Sequence, residues 1–409
     1  MIRSLFNNRW IILLLFIALE VYVFQAIKDI TKNASQPIRW TIYGLFGLLS
    51  LLSAVFLFSL SSVSERTSTY LLSFVFVFFV SILFCSIFLA VDDLRRGITW
   101  IVYKLQHKPA PSEGSAISRS TFLSWLGVII GGSFFGTMAY GISNRYNYKV
   151  RKKTLHFPNL PEAFKGLKIV QLSDIHSGSF TNKAAVERGV QMALAEKPDL
   201  ILFTGDLVNN RAIEMKDYMD VFNQLKAPMG VYSTLGNHDY GDYVEWPTAE
   251  AKVANLNRLK EIHGELGWKL MMNEHQIFER NGQKIALIGI ENWGAKGHFP
   301  KYGRMDLAYP GTENIPFKIL MSHDPSHWDA EVRPKYPDID LTLSGHTHGM
   351  QFGIDIPGFK WSPIKWMYKE WEDLYQENKQ YIYVNRGYGF LGYPGRVGIL
   401  PEITVLELV

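Results

Sequence analysis

Aspartate, histidine and asparagine recur at the ends of short apolar runs in the second part of this chain. The stretch LSDIHSG closes on Asp174 and His176, TGDLVNN carries Asp206, and LGNHDY carries Asn237, His238 and Asp239. Further on, MSHDPSHW supplies His323 and SGHTHGMQ supplies His346 and His348. Each apolar run reads as a buried strand, so each polar group falls where a strand enters a loop. One Asp-x-His at a strand end is common by chance, whereas five strand ends of one chemical kind are not. On an extended chain residues two apart point to the same side, so Asp174/His176 and His346/His348 are each expected to address one ion. Carboxylate and amide oxygens beside imidazole nitrogens suit Mn²⁺, Fe or Zn²⁺, and seven ligands exceed what one ion takes, so two ions are implied. Taken singly, any of these residues could merely cap a turn or a following helix; the whole set is hard to explain that way.

Such groups need strands that end together. Strand patterns at 167–173, 199–204 and 229–234 alternate with helical ones near 182–196 and 212–225. After Asn281-Gly282, a hairpin signal between HQIFER and KIALIGI, strands become frequent at 316–321, 339–344, 380–384 and 403–408. The expected fold is an α/β domain over 155–409, with two packed mixed sheets flanked by helices, entered through a loop marked by Pro158 and Pro161.

The first third of the chain is of another kind. Apolar runs at 10–27, 40–60, 69–91 and 122–141 are each long enough to cross a hydrocarbon core as a helix, so 1–145 is expected to be a four-span transmembrane anchor. Glu20 is the one carboxylate within these runs, and Gly132 and Gly136 form a small-xxx-small pair suited to close helix packing. The net charge is only +4, with Lys and Arg clustered beside the spans, which is membrane-flank chemistry and not a nucleic-acid footprint. The single cysteine, Cys85, lies in the third span, so no disulfide forms within the chain.

The order D-x-H, G-D, G-N-H-D, H, G-H-x-H is similar to that of the calcineurin-like metallophosphoesterases, over about residues 150–409. LPEAFKGLKIVQLSDIHSG, GHTHGMQ and ILPEITVLEL most resemble its membrane-associated branch of phosphodiesterases and UDP-diacylglucosamine pyrophosphatases. The resemblance implies an αββα sandwich with two divalent ions, Mn²⁺ foremost. Asp174, His176 and His348 would hold one ion, Asn237, His323 and His346 the other, and Asp206 would bridge them. His238 is then left as general acid for the leaving oxygen. Asn209 stands where the protein-phosphatase branch carries an acid that supports this histidine, so Asp239 is expected to take over its orientation. Met350 replaces a glycine common in relatives, and Arg211 either reaches a substrate phosphate or is solvated at a helix start. His107, His156, His263, His275, His298 and His327 read as surface or loop residues, with His298 and His327 within reach of substrate.

The function these readings imply is a membrane-anchored hydrolase of phosphate ester or pyrophosphate bonds, acting through metal-activated water. The alternatives are a broad-specificity phosphodiesterase or phosphatase for soluble substrates and, from another class, a catalytically silent membrane scaffold. The segment PGFKWSPIKWMYKEWEDLYQ, 357–376, interleaves Trp361, Trp366 and Trp371 with Lys360, Lys365 and Lys369, which suits a lipid headgroup region and a lipid-linked substrate. ISRSTFLSWLGVIIGG resembles a twin-arginine export signal with Ser120 in place of the second arginine, which favours a bacterial cytoplasmic membrane with the catalytic domain outside.

Overall fold

The computed structural model describes residues 9–106, 119–297 and 299–409. Contacts divide the chain into two units, Met1–Tyr140 and Gly141–Val409.

The first unit holds α1 (Arg9–Thr31), α2 (Gln36–Ser59), α3 (Glu65–Leu105) and most of α4 (Arg119–Ser143). All four are long and apolar enough to span a membrane. Ser64 starts α3 by accepting from the Thr67 N–H. The helix then runs for 41 residues, well past the expected 69–91. At 1.5 Å per residue that is about 60 Å, twice a hydrocarbon core. The Asp92–Arg95 pair, 2.9 Å apart, helps carry it beyond the apolar run. Phe16, Val23, Phe78, Ile82, Cys85 and Leu89 form the core of this unit. Gly132 and Gly136 have open space around them, contrary to their expected packing role. Gly127 and Gly131 lie instead against Cys85 and Ser81 of α3, where a Cβ on Gly131 would strike the Ser81 carbonyl.

The second unit is built on two six-stranded sheets. The first runs β1 (Lys149–Leu155), β14 (Glu402–Leu408), β2 (Leu167–Leu172), β3 (Leu200–Phe203), β4 (Val231–Ser233) and β5 (Lys269–Leu270). The second runs β12 (Asp373–Glu377), β13 (Gln380–Val384), β9 (Leu341–Ser344), β8 (Lys318–Met321), β7 (Gln283–Gly289) and β6 (Glu274–Arg280). Ile169, Leu200 and Leu202 of one sheet meet Leu287, Ile319, Leu341 and Tyr383 of the other in a dry core. Helices α5 (Lys183–Ala195) and α6 (Ala249–Glu265) cover the outer face of the first sheet, and Trp328 with Val332 covers the second. This is the expected αββα arrangement. β1, before the expected domain start, pairs in parallel with β14 through its whole length. The helix expected near 212–225 is two short turns, Ala212–Met215 and Met219–Phe222.

β2, β3 and β4 are mutually parallel, as are β7, β8 and β9. Gln171 Nε2 donates to the Ser344 carbonyl (2.9 Å), and His323 Nδ1 lies 2.7 Å from the Thr204 carbonyl, so the C-terminal ends of both sheets meet along one edge. Loops beyond such strand ends are where open α/β sheets place their ligands.

Candidate metal centre

All seven anticipated ligands come from loops at that edge: Asp174 and His176 follow β2, Asp206 follows β3, Asn237 follows β4, His323 follows β8, and His346 and His348 follow β9. The manner of their aiming differs from the expectation. Asp174 and His176 are not on extended chain, nor are His346 and His348. Asp174 (φ 53°), His176 (49°), Asp206 (61°), His346 (71°) and His348 (50°) all adopt left-handed backbone. That conformation costs a non-glycine residue roughly 1–2 kcal/mol. It is kept here by residues whose side chains converge, which marks strain held at a functional site. Space is made by glycine: a Cβ on Gly236 would collide with the Asp206 carboxylate, and one on Gly345 with Ser173 and Asp174.

His176 Nε2 lies 3.0 Å from His348 Nε2, and the latter lies 3.2 Å from Asp174 Oδ1. Asp206 Oδ2 stands between two imidazoles, 3.5 Å from His176 Nε2 and 3.2 Å from His323 Nε2. His323 Nε2 approaches Asp206 without a well-aligned hydrogen bond. Two nitrogens bound to one tetrahedral ion at about 2.1 Å each lie about 3.4 Å apart. The observed spacings of 3.0–3.5 Å fall near that value, and the donor set fits divalent ions. Two groups of carboxylate and imidazole atoms close enough to share an ion are Asp174, His176, His348 and Asp174, Asp206, His323. Asn237 Oδ1 faces His346 Nδ1 at 2.8 Å, and the Asn237 amide nitrogen donates to Tyr243 Oη (2.7 Å), which keeps its oxygen inward.

Supporting groups set the imidazole tautomers, as ligand histidines require. With Nδ1–H of His323 donated to the Thr204 carbonyl, Nε2 is left free to ligate. His346 Nε2 lies 3.0 Å from Tyr368 Oη and 3.6 Å from Asp324 Oδ2, which leaves Nδ1 toward Asn237. The buried Arg396 guanidinium lies 3.3 Å from His348 Nδ1. No motif pointed to Asp324 or Arg396. Tyr368 was visible only as part of an aromatic segment, and its partner comes from a loop 22 residues away.

Electrostatics are mutual. Burial alone would raise Asp174, but the neighbouring His348 holds it below the usual carboxylate range. Asp206 is likewise held low against burial by His323 and His238. Burial would lower His323, yet the Asp206 carboxylate carries it up to about 10. His176 is pulled well below its ordinary value by burial.

His238 is half-buried, with its Nδ1 2.8 Å from the Asn209 carbonyl and its backbone N–H donated to Asp206 Oδ1 (2.8 Å). Burial lowers it, opposed by Asp206. Asp239 does not orient it. The Asp239 carboxylate accepts from the N–H groups of Asp206, Leu207, Val208 and Gly236, and so holds the Asp206 loop. The Asn209 side chain exchanges hydrogen bonds with Ser179 and not with His238. The guanidinium of Arg211 stacks over Trp246, 4.6 Å from its centroid. Two histidines read as surface residues are buried: His263 on Ser233 Oγ (2.9 Å) and His327 between Ser322 and Glu331. His107 and His298 lie outside the described residues.

Four apolar helices joined to a two-sheet α/β domain with this cluster define a membrane-bound metal-dependent hydrolase. The chain belongs to the calcineurin-like phosphoesterases: the model described by that name matches residues 167–350, and the transmembrane domain model of four-span phosphoesterases matches residues 4–145. It is 30% identical over 304 residues to metallophosphoesterase YkuE of Bacillus subtilis, covering 71% of this chain and 98% of that one. Phosphodiesterase YaeI of Escherichia coli is 27% identical over 297 residues, 72% of this chain and 100% of the relative. A zebrafish (Danio rerio) transmembrane protein with a metallophosphoesterase domain is 30% identical over 277 residues, 66% of this chain but only 59% of its own length. Relatives thus occur in animals as well as bacteria.

Proposed function

We propose that this phosphoesterase uses two divalent ions, Mn²⁺ foremost, to hydrolyse a phosphate ester or pyrophosphate of a lipid-linked substrate. The observation that carries the two-ion reading is Asp206, whose Oδ2 faces imidazoles of two different groups at 3.5 and 3.2 Å. Asp174, His176 and His348 would hold one ion, Asn237, His323 and His346 the other, with Asp206 between. Bound there, the ions would neutralise phosphate charge and make a water nucleophilic at neutral pH. His238 does the proton work. Its Nδ1–H is fixed on the Asn209 carbonyl, so as an imidazolium it carries its second proton on Nε2 and gives that proton to the leaving oxygen, returning to the neutral ring. Asp239 keeps Asp206 in place through the backbone, and Tyr368 keeps His346 turned. Support for a lipid-linked substrate comes from the four spans and from Trp366 and Met367, exposed immediately before Tyr368. We retain the outward-facing orientation in this reading, and with it a lipid phosphoester in preference to a cytoplasmic nucleotide-linked lipid.

The test is turnover by the full chain in detergent micelles of a chromogenic phosphodiester and of a phospholipid diester, with Mn²⁺ and with chelator. Metal-dependent turnover of both, with the lipid preferred, is expected. Activity indifferent to chelator would remove the metal mechanism, and hydrolysis of the soluble diester alone would remove the lipid.

A further inference from the structure

Residues 350–367 leave an unusual surface beside the metal centre. β10 (Ile354–Ile356) and β11 (Phe359–Trp361) form an antiparallel hairpin that joins neither large sheet. Its register pairs Ile354 with Trp361, Asp355 with Lys360 and Ile356 with Phe359. One face is therefore wholly apolar and the other charged. The charged face is the one turned to the domain: Asp355 pairs with Arg151 and Arg386, and Lys360 with Glu372 and Asp373. The apolar face is left outside, with Ile354 42%, Ile356 55% and Phe359 52% exposed. Met350 (53%), Trp366 (73%) and Met367 (57%) extend it, while Trp371 and Tyr368 of the same segment pack inward with Ile364 and Ile399. Water is the wrong solvent for such a hairpin.

Its origin indicates what replaces water. The last residues of α4, from Gly141 on, belong to the second unit. The Arg396 N–H donates to the Gly141 carbonyl (2.9 Å). Val397, the next residue, donates to Gln351 (2.8 Å) and accepts from Gly353 (2.9 Å), the residue from which β10 departs. The hairpin thus leaves the domain two chain spacings, about 10 Å, from Gly141. An interfacial element buries its apolar face roughly 5–10 Å into the headgroup–acyl boundary. Trp361 and Trp366, in edge contact at 5.9 Å, and the exposed Lys365 are residue types favoured at that depth.

We propose that the β10–β11 hairpin, with Met350, Trp366 and Met367, inserts into the lipid bilayer that holds the four spans, so that the metal centre opens at the membrane surface. The link to the centre is short: Met350 lies two residues after His348, and Met367 precedes Tyr368, which contacts His346. The inference rests on the membrane anchor and not on what is hydrolysed.

The test places a bimane label at Phe359→Cys in a full-chain Cys85→Ser background, in nanodiscs of phosphatidylcholine and phosphatidylglycerol. A label at Lys284→Cys, on the exposed start of β7, is the reference. Nitroxide-bearing lipid is expected to quench the label at 359 several-fold more than that at 284, and aqueous iodide the reverse. Iodide quenching at 359 equal to that at 284 would overturn the proposal. Protection from iodide without quenching by nitroxide lipid would overturn it too, since protein would then cover the hairpin. Ile356→Cys repeats the measurement on the same face, and no readout involves turnover.

Discussion

Asp239 offers a prediction whose size follows from its contacts. Its Oδ1 accepts from Leu207 (2.9 Å) and Val208 (3.3 Å), and its Oδ2 from Asp206 (2.9 Å) and Gly236 (2.8 Å), all in a fully buried site. Asp239→Asn keeps the shape but turns one oxygen into an NH₂ group facing two N–H donors. Burial and the Asp206 charge push Asp239 up to about 7, so above that pH two hydrogen bonds to a charged acceptor are lost at about 1.5–3 kcal/mol each and the change destabilises by about 3–6 kcal/mol. For a domain of this size that lowers the unfolding midpoint on the order of 10 °C. Tryptophan-detected thermal unfolding of the full chain in detergent, without metal, reads the shift. A fall of less than about 2 °C would refute the reasoning that this carboxylate holds the loop. The same variant loosens Asp206, so its metal affinity should fall with its stability.

Three further outcomes are expected. His238→Gln retains bound metal but loses roughly 10²–10⁴ in turnover, with a smaller loss for leaving groups of low pKa; an equal loss across leaving groups would contradict the acid role. Tyr368→Phe removes the contact to His346 Nε2 and weakens Mn²⁺ binding by about 10–100-fold in a calorimetric titration, whereas unchanged affinity would show that Asp324 alone suffices. His323 is raised above its unfolded value by Asp206. In the metal-free chain this histidine therefore contributes stability that is fully present below about pH 6.5 and lost as pH rises through about 10. Ligation requires the neutral ring, so Mn²⁺ loading at pH 8 should release protons into a weakly buffered solution, and a pH trace that does not move would contradict the assignment.

Much of the site was legible in the sequence because its residues fall at strand ends, and strand ends are visible as the close of apolar runs such as LKIVQLS and ILFTGD. What aims them was not legible. Period two placed Asp174 with His176 by assuming extended backbone, whereas left-handed turns at both residues do the aiming. The missing acid at 209 suggested that Asp239 serves His238, but a short helical turn at His238–Tyr240 sends its side chain to the preceding loop. β1 was missed because KVRKKTL reads as a basic flank; it is an edge strand whose outward positions are charged. α6 escaped notice because its buried residues, Leu259, Ile262 and His263, lie only in its second half. The aromatic segment 357–376 looked uniform, yet tertiary contacts bury Trp371 and leave Trp366 outside.

The central claim is a two-ion centre, and metal stoichiometry tests it most directly. The full chain is the right material, since β1 forms an edge of the first sheet and Gly141 is bonded to Arg396. Loaded with Mn²⁺, desalted and measured by mass spectrometry against amino-acid analysis, it should carry two ions per chain, and Asp206→Asn should carry fewer. One ion or none in the unaltered chain, or two retained in Asp206→Asn, would contradict the account.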